Sequence, residues 1–99
     1  MAVQCSPCPP ALSVRLHVPQ GQPAPEATVE GAEGFCSIQP SSGTVCTLAE
    51  DRSGSFEFDI KAPGYQTAHV SESVKAVARH GCCSCGYDSR LVEVSLTPL

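Results

Sequence analysis

Short runs in which apolar and polar residues alternate, broken roughly every ten residues by turns, argue for an all-β chain folded as an antiparallel-rich sandwich. The clearest run is Ser55-Phe56-Glu57-Phe58-Asp59-Ile60. Phe56, Phe58 and Ile60 share one face of it, and Glu57 and Asp59 take the other. A further observation is sulfur. Seven cysteines in 99 residues fall in three clusters: Cys5 and Cys8, Cys36 and Cys46, and Cys82, Cys83 and Cys85. A reducing cytosol would keep such thiols reduced, so this density points to an oxidising compartment or to a bound metal.

A chain of this length forms one domain with one modest core. Without Trp, and with only two Tyr and three Phe, that core is built mostly from Val, Leu, Ile and Ala, and cross-links would stabilise it considerably. The net charge of −4, spread without runs, disfavours nucleic acid or an anionic membrane surface as partner. No apolar run approaches the roughly 18 residues that span a bilayer. Met1-Ala2-Val3-Gln4 is too short for a signal peptide, so the chain reads as a mature domain with an added Met. Gln4 before Cys5 is a poor context for lipidation. The chain has no Asn, which excludes N-glycosylation and Lys–Asn isopeptide links.

Residues 1–11 form a Cys/Pro-rich leader, because Pro7, Pro9 and Pro10 exclude helix and central strand. Residues 12–99 form the β-sandwich domain. Leu12 to Val18 alternates as a half-buried strand, and Pro19 to Pro25 turns the chain. Ala27 to Glu30 is a short strand closed by Gly31 and Gly34. Two short strands follow, around Cys36–Ile38 and Thr44–Leu48, with Pro40-Ser41-Ser42-Gly43 between them. After the turn at 50–54 come the Ser55–Ile60 strand, a turn at Ala62-Pro63-Gly64, and a strand over Tyr65–Ser71. Ser73 to Arg79 suits either a helical turn or a strand, and its β-branched valines favour strand. The late cysteine loop precedes the last strand, Leu91–Leu96.

Cys36 and Cys46 are placed to bridge neighbouring strands across the Gly43 turn. Closing a loop of about ten residues stabilises by roughly 3 kcal/mol in the chain-entropy account.

The stretch Asp51-Arg52-Ser53-Gly54-Ser55-Phe56-Glu57-Phe58, followed by Ala62-Pro63-Gly64-Tyr65, resembles the carboxypeptidase regulatory-like (transthyretin-like) family. Pro25-Glu26-Ala27-Thr28-Val29 and the closing Val94-Ser95-Leu96-Thr97-Pro98 are similar to further family motifs, so the resemblance covers most of residues 12–98. It implies a seven-stranded Greek-key-type β-sandwich whose first and last strands lie side by side and parallel. It also implies a role as an appended, rarely catalytic domain. Independently of the family, Gly54 and Gly64 sit where tight turns need positive φ. Phe56 and Phe58 read as core rather than as a stacking platform.

Parallel first and last strands would bring Cys5 and Cys8 within reach of Cys82, Cys83 and Cys85. The resulting expectation is three disulfides: Cys36–Cys46, and Cys5 and Cys8 each joined to one of the late cluster. A leader-to-late-loop bridge closing about 75 residues would contribute on the order of 4.5 kcal/mol. An odd cysteine is left over, as a free thiol, an attachment point or an inter-chain link. The competing arrangement is a structural zinc site drawing on Cys5, Cys8, Cys83 and Cys85, with Cys82 as a substitute. A thioredoxin-like role for Cys5-Ser6-Pro7-Cys8 is disfavoured, since the prolines forbid the helix that chemistry uses.

No catalytic constellation stands out. His17, His69 and His80 are scattered, and Ser55 lacks a nucleophile elbow. Glu26, Glu30 and Glu33 read as solvating a strand and loop. Asp51, Ser53 and Glu57 supply too few oxygens for a calcium loop. The expected function is a non-catalytic structural or protein-interaction module, secreted, periplasmic or on the cell surface, with no cofactor. A sheet edge or the loops at one end would carry a protein partner. The alternatives are a zinc-binding β-domain and an accessory domain of a secreted hydrolase.

Overall fold

The computed structural model describes residues 8–77 and 85–99; Cys5, His80, Cys82 and Cys83 lie outside the described residues. Among the described residues seven strands form: β1 (Leu12–His17), β2 (Thr28–Glu30), β3 (Gly34–Gln39), β4 (Gly43–Leu48), β5 (Gly54–Lys61), β6 (Ala68–Val74) and β7 (Arg90–Ser95). They make two sheets, one of order β3-β4-β1-β7 and one of order β2-β5-β6. All pairings are antiparallel except β1 with β7, which run parallel from Leu12 opposite Arg90 to His17 opposite Ser95. Among the described residues there is no helix long and apolar enough to cross a membrane.

The period-2 pattern decides which side chains meet between the sheets. Leu12, Val14 and Leu16 point inward from β1, and Cys46 and Leu48 from β4. Phe56, Phe58 and Ile60 of β5 and Val70 and Val74 of β6 face them. The expected core placement of Phe56 and Phe58 is thus found, each 3% or less exposed. Gly54 and Gly64 have the positive φ expected of them, +116° and +84°.

Most strand ends shift by one or two residues from the sequence reading, and the larger differences lie at and after β6. β6 starts at Ala68 rather than at Tyr65. Tyr65 instead closes a turn, donating its N–H to the Ala62 carbonyl at 3.1 Å, and forms a lone bridge with Pro98. The C-terminal segment thus takes the hydrogen bonds that a longer β6 would use. The separate strand expected over Ser73–Arg79 is also not found over its described part. Ser73 and Val74 end β6, opposite Ser55 and Gly54, because the eight-residue β5 carries the ladder that far. Beyond it, Ala76 makes a single bridge with Tyr87.

The two sides of the sandwich are closed differently. On the β6–β7 side, Arg90 reaches from one sheet to the other. Its guanidinium is 3.2 Å from the Glu72 carboxylate and donates to the Ser73 carbonyl at 3.1 Å. On the β2–β3 side the chain itself crosses between sheets through residues 31–33.

Candidate functional site

The parallel β1–β7 pair starts both strands at the same end, so the segments before them are neighbours. There Cys8 and Cys85 are joined, with Cα atoms 5.8 Å apart, inside the usual range for a disulfide. Polar contacts extend the clamp. The Tyr87 hydroxyl donates to the Pro9 carbonyl, the Ser89 hydroxyl donates to the Pro10 carbonyl, and the Arg90 N–H donates to the Ala11 carbonyl at 2.9 Å. Pro9 and Pro10 lack an N–H, so at these two positions the leader offers carbonyls only. The late loop supplies the donors. Tyr87 is 8% exposed, and this burial pushes its phenol above the ordinary tyrosine range.

Cys36 and Cys46 are also joined, their Cα atoms 3.9 Å apart. They are directly opposed on β3 and β4. The Ala49 N–H donates to the Glu33 carbonyl at 2.9 Å, so Glu33 and Ala49 form a hydrogen-bonded pair. Pairs alternate along an antiparallel ladder, which makes Cys36–Cys46 a non-hydrogen-bonded pair, the type that brings side chains closest. Two of the expected pairings are therefore present. With Cys8 and Cys85 bonded to each other, two of the four sulfurs named for a zinc site are not free thiolates in this structure.

Beside Cys36 the sheets part. A cleft of about 780 Å³ opens there, lined by Cys36 and Ile38 of β3, Thr44 of β4, Glu26 and Ala27, and Tyr65 and Leu99, among others. Thr44 is 1% exposed, and its hydroxyl donates to the Pro25 carbonyl, pinning the loop that forms one wall. The apolar part of the lining, Ala27, Cys36, Ile38, Tyr65 and Leu99, suits apolar side chains of a ligand, and Glu26, Ser37 and Lys61 add polar groups beside it.

The outer face of the β2-β5-β6 sheet holds a cluster that local patterning did not single out. His69 sits directly opposite Asp59. Its Nδ1 lies 2.7 Å from an Asp59 carboxylate oxygen and its Nε2 lies 2.9 Å from one of Glu57. The only available signal was the Glu57-Asp59 spacing, which puts both carboxylates on one face; β6 supplies the imidazole through register. The hydrogen bonds to Asp59 and then to Glu57 hold the imidazole above the usual histidine value. Next to it, Lys61 Nζ lies 2.9 Å from Glu30, one of the carboxylates read as merely solvating. Glu57, weighed as a calcium ligand, is engaged with His69. His17, on the other sheet, has its Nε2 3.3 Å from Glu93.

A raised folded-state pKa for His69 has a definite pH signature. Its contribution to stability is complete below the unfolded value of about 6.5 and is lost as pH rises through the higher folded value. The stability difference between the wild type and His69→Ala, read from denaturant unfolding, is therefore expected to be larger at pH 5 than at pH 8.5. Equal differences at both values would remove the charged imidazole from the account.

The chain matches no family model, no curated protein and no solved structure at the level at which such matches are significant. What stands is the class that the fold itself defines. Over the described residues it is a two-sheet, seven-stranded all-β domain carrying two disulfides, a coarser statement than a transthyretin-like Greek key.

Proposed function

We propose that this chain is a non-catalytic, disulfide-stabilised protein-interaction module of the carboxypeptidase regulatory-like type, working outside the reducing cytosol. The observation that carries the reading is the Cys8–Cys85 bridge, which joins segments 77 residues apart at the common start of β1 and β7. Joining residues so distant lowers the entropy of the unfolded chain most, which is useful where the core lacks large aromatics. Such a bond persists in an oxidising compartment. The parallel pairing of first and last strands supports the Greek-key, transthyretin-like arrangement within this proposal. The domain presents rigid edges and loops on a packed scaffold, and a protein partner would dock there.

Refolding separates this reading from the zinc-binding one. Protein refolded in a glutathione redox buffer is expected to show one cooperative, β-type thermal transition in far-UV circular dichroism. Protein refolded with dithiothreitol and equimolar zinc is expected to melt at least about 10 °C lower, since roughly 1 kcal/mol shifts a domain of this size by some 4–8 °C. An equally stable, zinc-stoichiometric reduced form would overturn the proposal.

A further inference from the structure

Four strands end the two sheets: β3 and β7 in one, β2 and β6 in the other. An unpaired edge invites strand addition, and proteins block it with charges, prolines, bulges or short strands. β7 carries Arg90 and Glu93, and β6 carries His69 and Glu72. β2 is three residues long and includes Glu30. β3 has none of these devices. Its six residues, Gly34-Phe35-Cys36-Ser37-Ile38-Gln39, bear no charge and no proline, and the pairing with β4 runs without interruption. Phe35 and Ile38 are 61% and 52% exposed.

The ladder also says which backbone groups are on offer. Since Glu33 is hydrogen-bonded to Ala49, the odd-numbered residues of β3 exchange hydrogen bonds with β4. Gly34, Cys36 and Ile38 therefore turn their N–H and C=O groups to the open edge. Cys36 and Ile38 are also the β3 residues that line the cleft, with Ser37 between them. An added strand would thus hydrogen-bond to the edge and place alternate side chains in the cleft.

Charge narrows the occupant. Glu30 on β2 is neutralised by Lys61, the cation of the cleft lining, whereas Glu26 on the cleft wall and Glu33 just before β3 are exposed and have no ion-pair partner among the described residues. A second copy of this chain would bring two such acidic flanks onto one seam. We propose that β3 is the docking edge for an extended segment of another protein, apolar at alternate positions and flanked by Lys or Arg, bound by strand addition. The inference rests on reading the domain as a protein-interaction module and assigns that role to one edge.

The test is selection of a displayed random dodecapeptide library on the oxidised domain, followed by titration of a synthetic peptide from the enriched set. The enriched sequences are expected to alternate apolar and polar residues between basic flanks. The peptide should bind Ile38→Lys at least about tenfold more weakly than the wild type, with the variant's thermal transition confirming that it folds. Amide exchange at Cys36 and Ile38 should slow when the peptide binds the wild type. Enriched peptides that bind Ile38→Lys equally well and leave those amides unprotected would overturn the edge assignment alone. Absence of any enrichment would overturn the edge assignment and the interaction-module reading together. Concentration-dependent dimerisation that protects the same amides would make a second copy the occupant and overturn the heterologous partner.

Discussion

In a background whose Cys5, Cys82 and Cys83 are already serine, so that no second bridge can close the same loop, replacing Cys8 and Cys85 together by serine is expected to lower the free energy of unfolding by about 4 kcal/mol, read from urea unfolding monitored by circular dichroism. The bridge spans 77 residues, and the chain-entropy account assigns about 4.5 kcal/mol to a loop of that length. That is a large fraction of the 5–15 kcal/mol typical of a whole domain. Serine keeps the size of the side chain and leaves no unpaired thiol at either position. The hydrogen bonds of Tyr87, Ser89 and Arg90 to the leader carbonyls remain, so the native geometry has support without the bond. A loss below about 1 kcal/mol would mean that the bridge does not restrict the unfolded chain as this account requires.

Phe58→Ala is expected to cost about 3–5 kcal/mol, the range for deleting a buried Phe side chain. Phe58 is 2% exposed on the inner face of β5, opposite Val70. With no Trp in the chain, few side chains of similar volume could collapse into the space. Phe35→Ala is the internal control. The same atoms are removed from a ring that is 61% exposed, and the change should stay within about 0.5 kcal/mol. Equal costs for the two variants would contradict the assignment of faces on β3 and β5. The pair of measurements needs only midpoints and slopes from denaturant curves.

The difference between those phenylalanines also shows what local patterning can and cannot resolve. Strict alternation over Ser55–Ile60 identified both β5 and its buried face, because neighbours on the chain carry the whole signal. In Gly34–Gln39 the polar and apolar residues do not alternate cleanly. Phe35 and Ile38 fall on opposite faces, so the exposure of both follows only from the sheet order. The pairing of Cys36 with Cys46 was legible because the Gly43 turn sets the register between adjacent strands. Proximity of Cys8 to Cys85 needed the parallel first and last strands, which no local pattern encodes. It came from the family resemblance, and β1 and β7 are parallel as that resemblance implied.

The same division explains the differences. Tyr65 looked like the start of a strand, yet its partners are Ala62 and the distant Pro98. Pairing with a chain terminus is invisible to periodicity. His69 looked isolated because Asp59 and Glu57 meet it only across the β5–β6 ladder. The cleft and the uncharged β3 edge are likewise products of sheet order rather than of any motif. The third expected bridge, from Cys5 to one of Cys82 and Cys83 with the other left over, lies outside the described residues.

The disulfide framework underlies the proposed setting and stability of the domain, and peptide mapping of the unreduced protein tests it most directly. Free thiols are first alkylated under denaturing conditions, the chain is digested without reductant, and linked fragments are identified by mass spectrometry. One linked fragment joining Cys8 to Cys85 and another joining Cys36 to Cys46 are expected, both lost on reduction. Alkylation of these four cysteines before reduction, or linkage of Cys8 to Cys36 or Cys46, would contradict this framework.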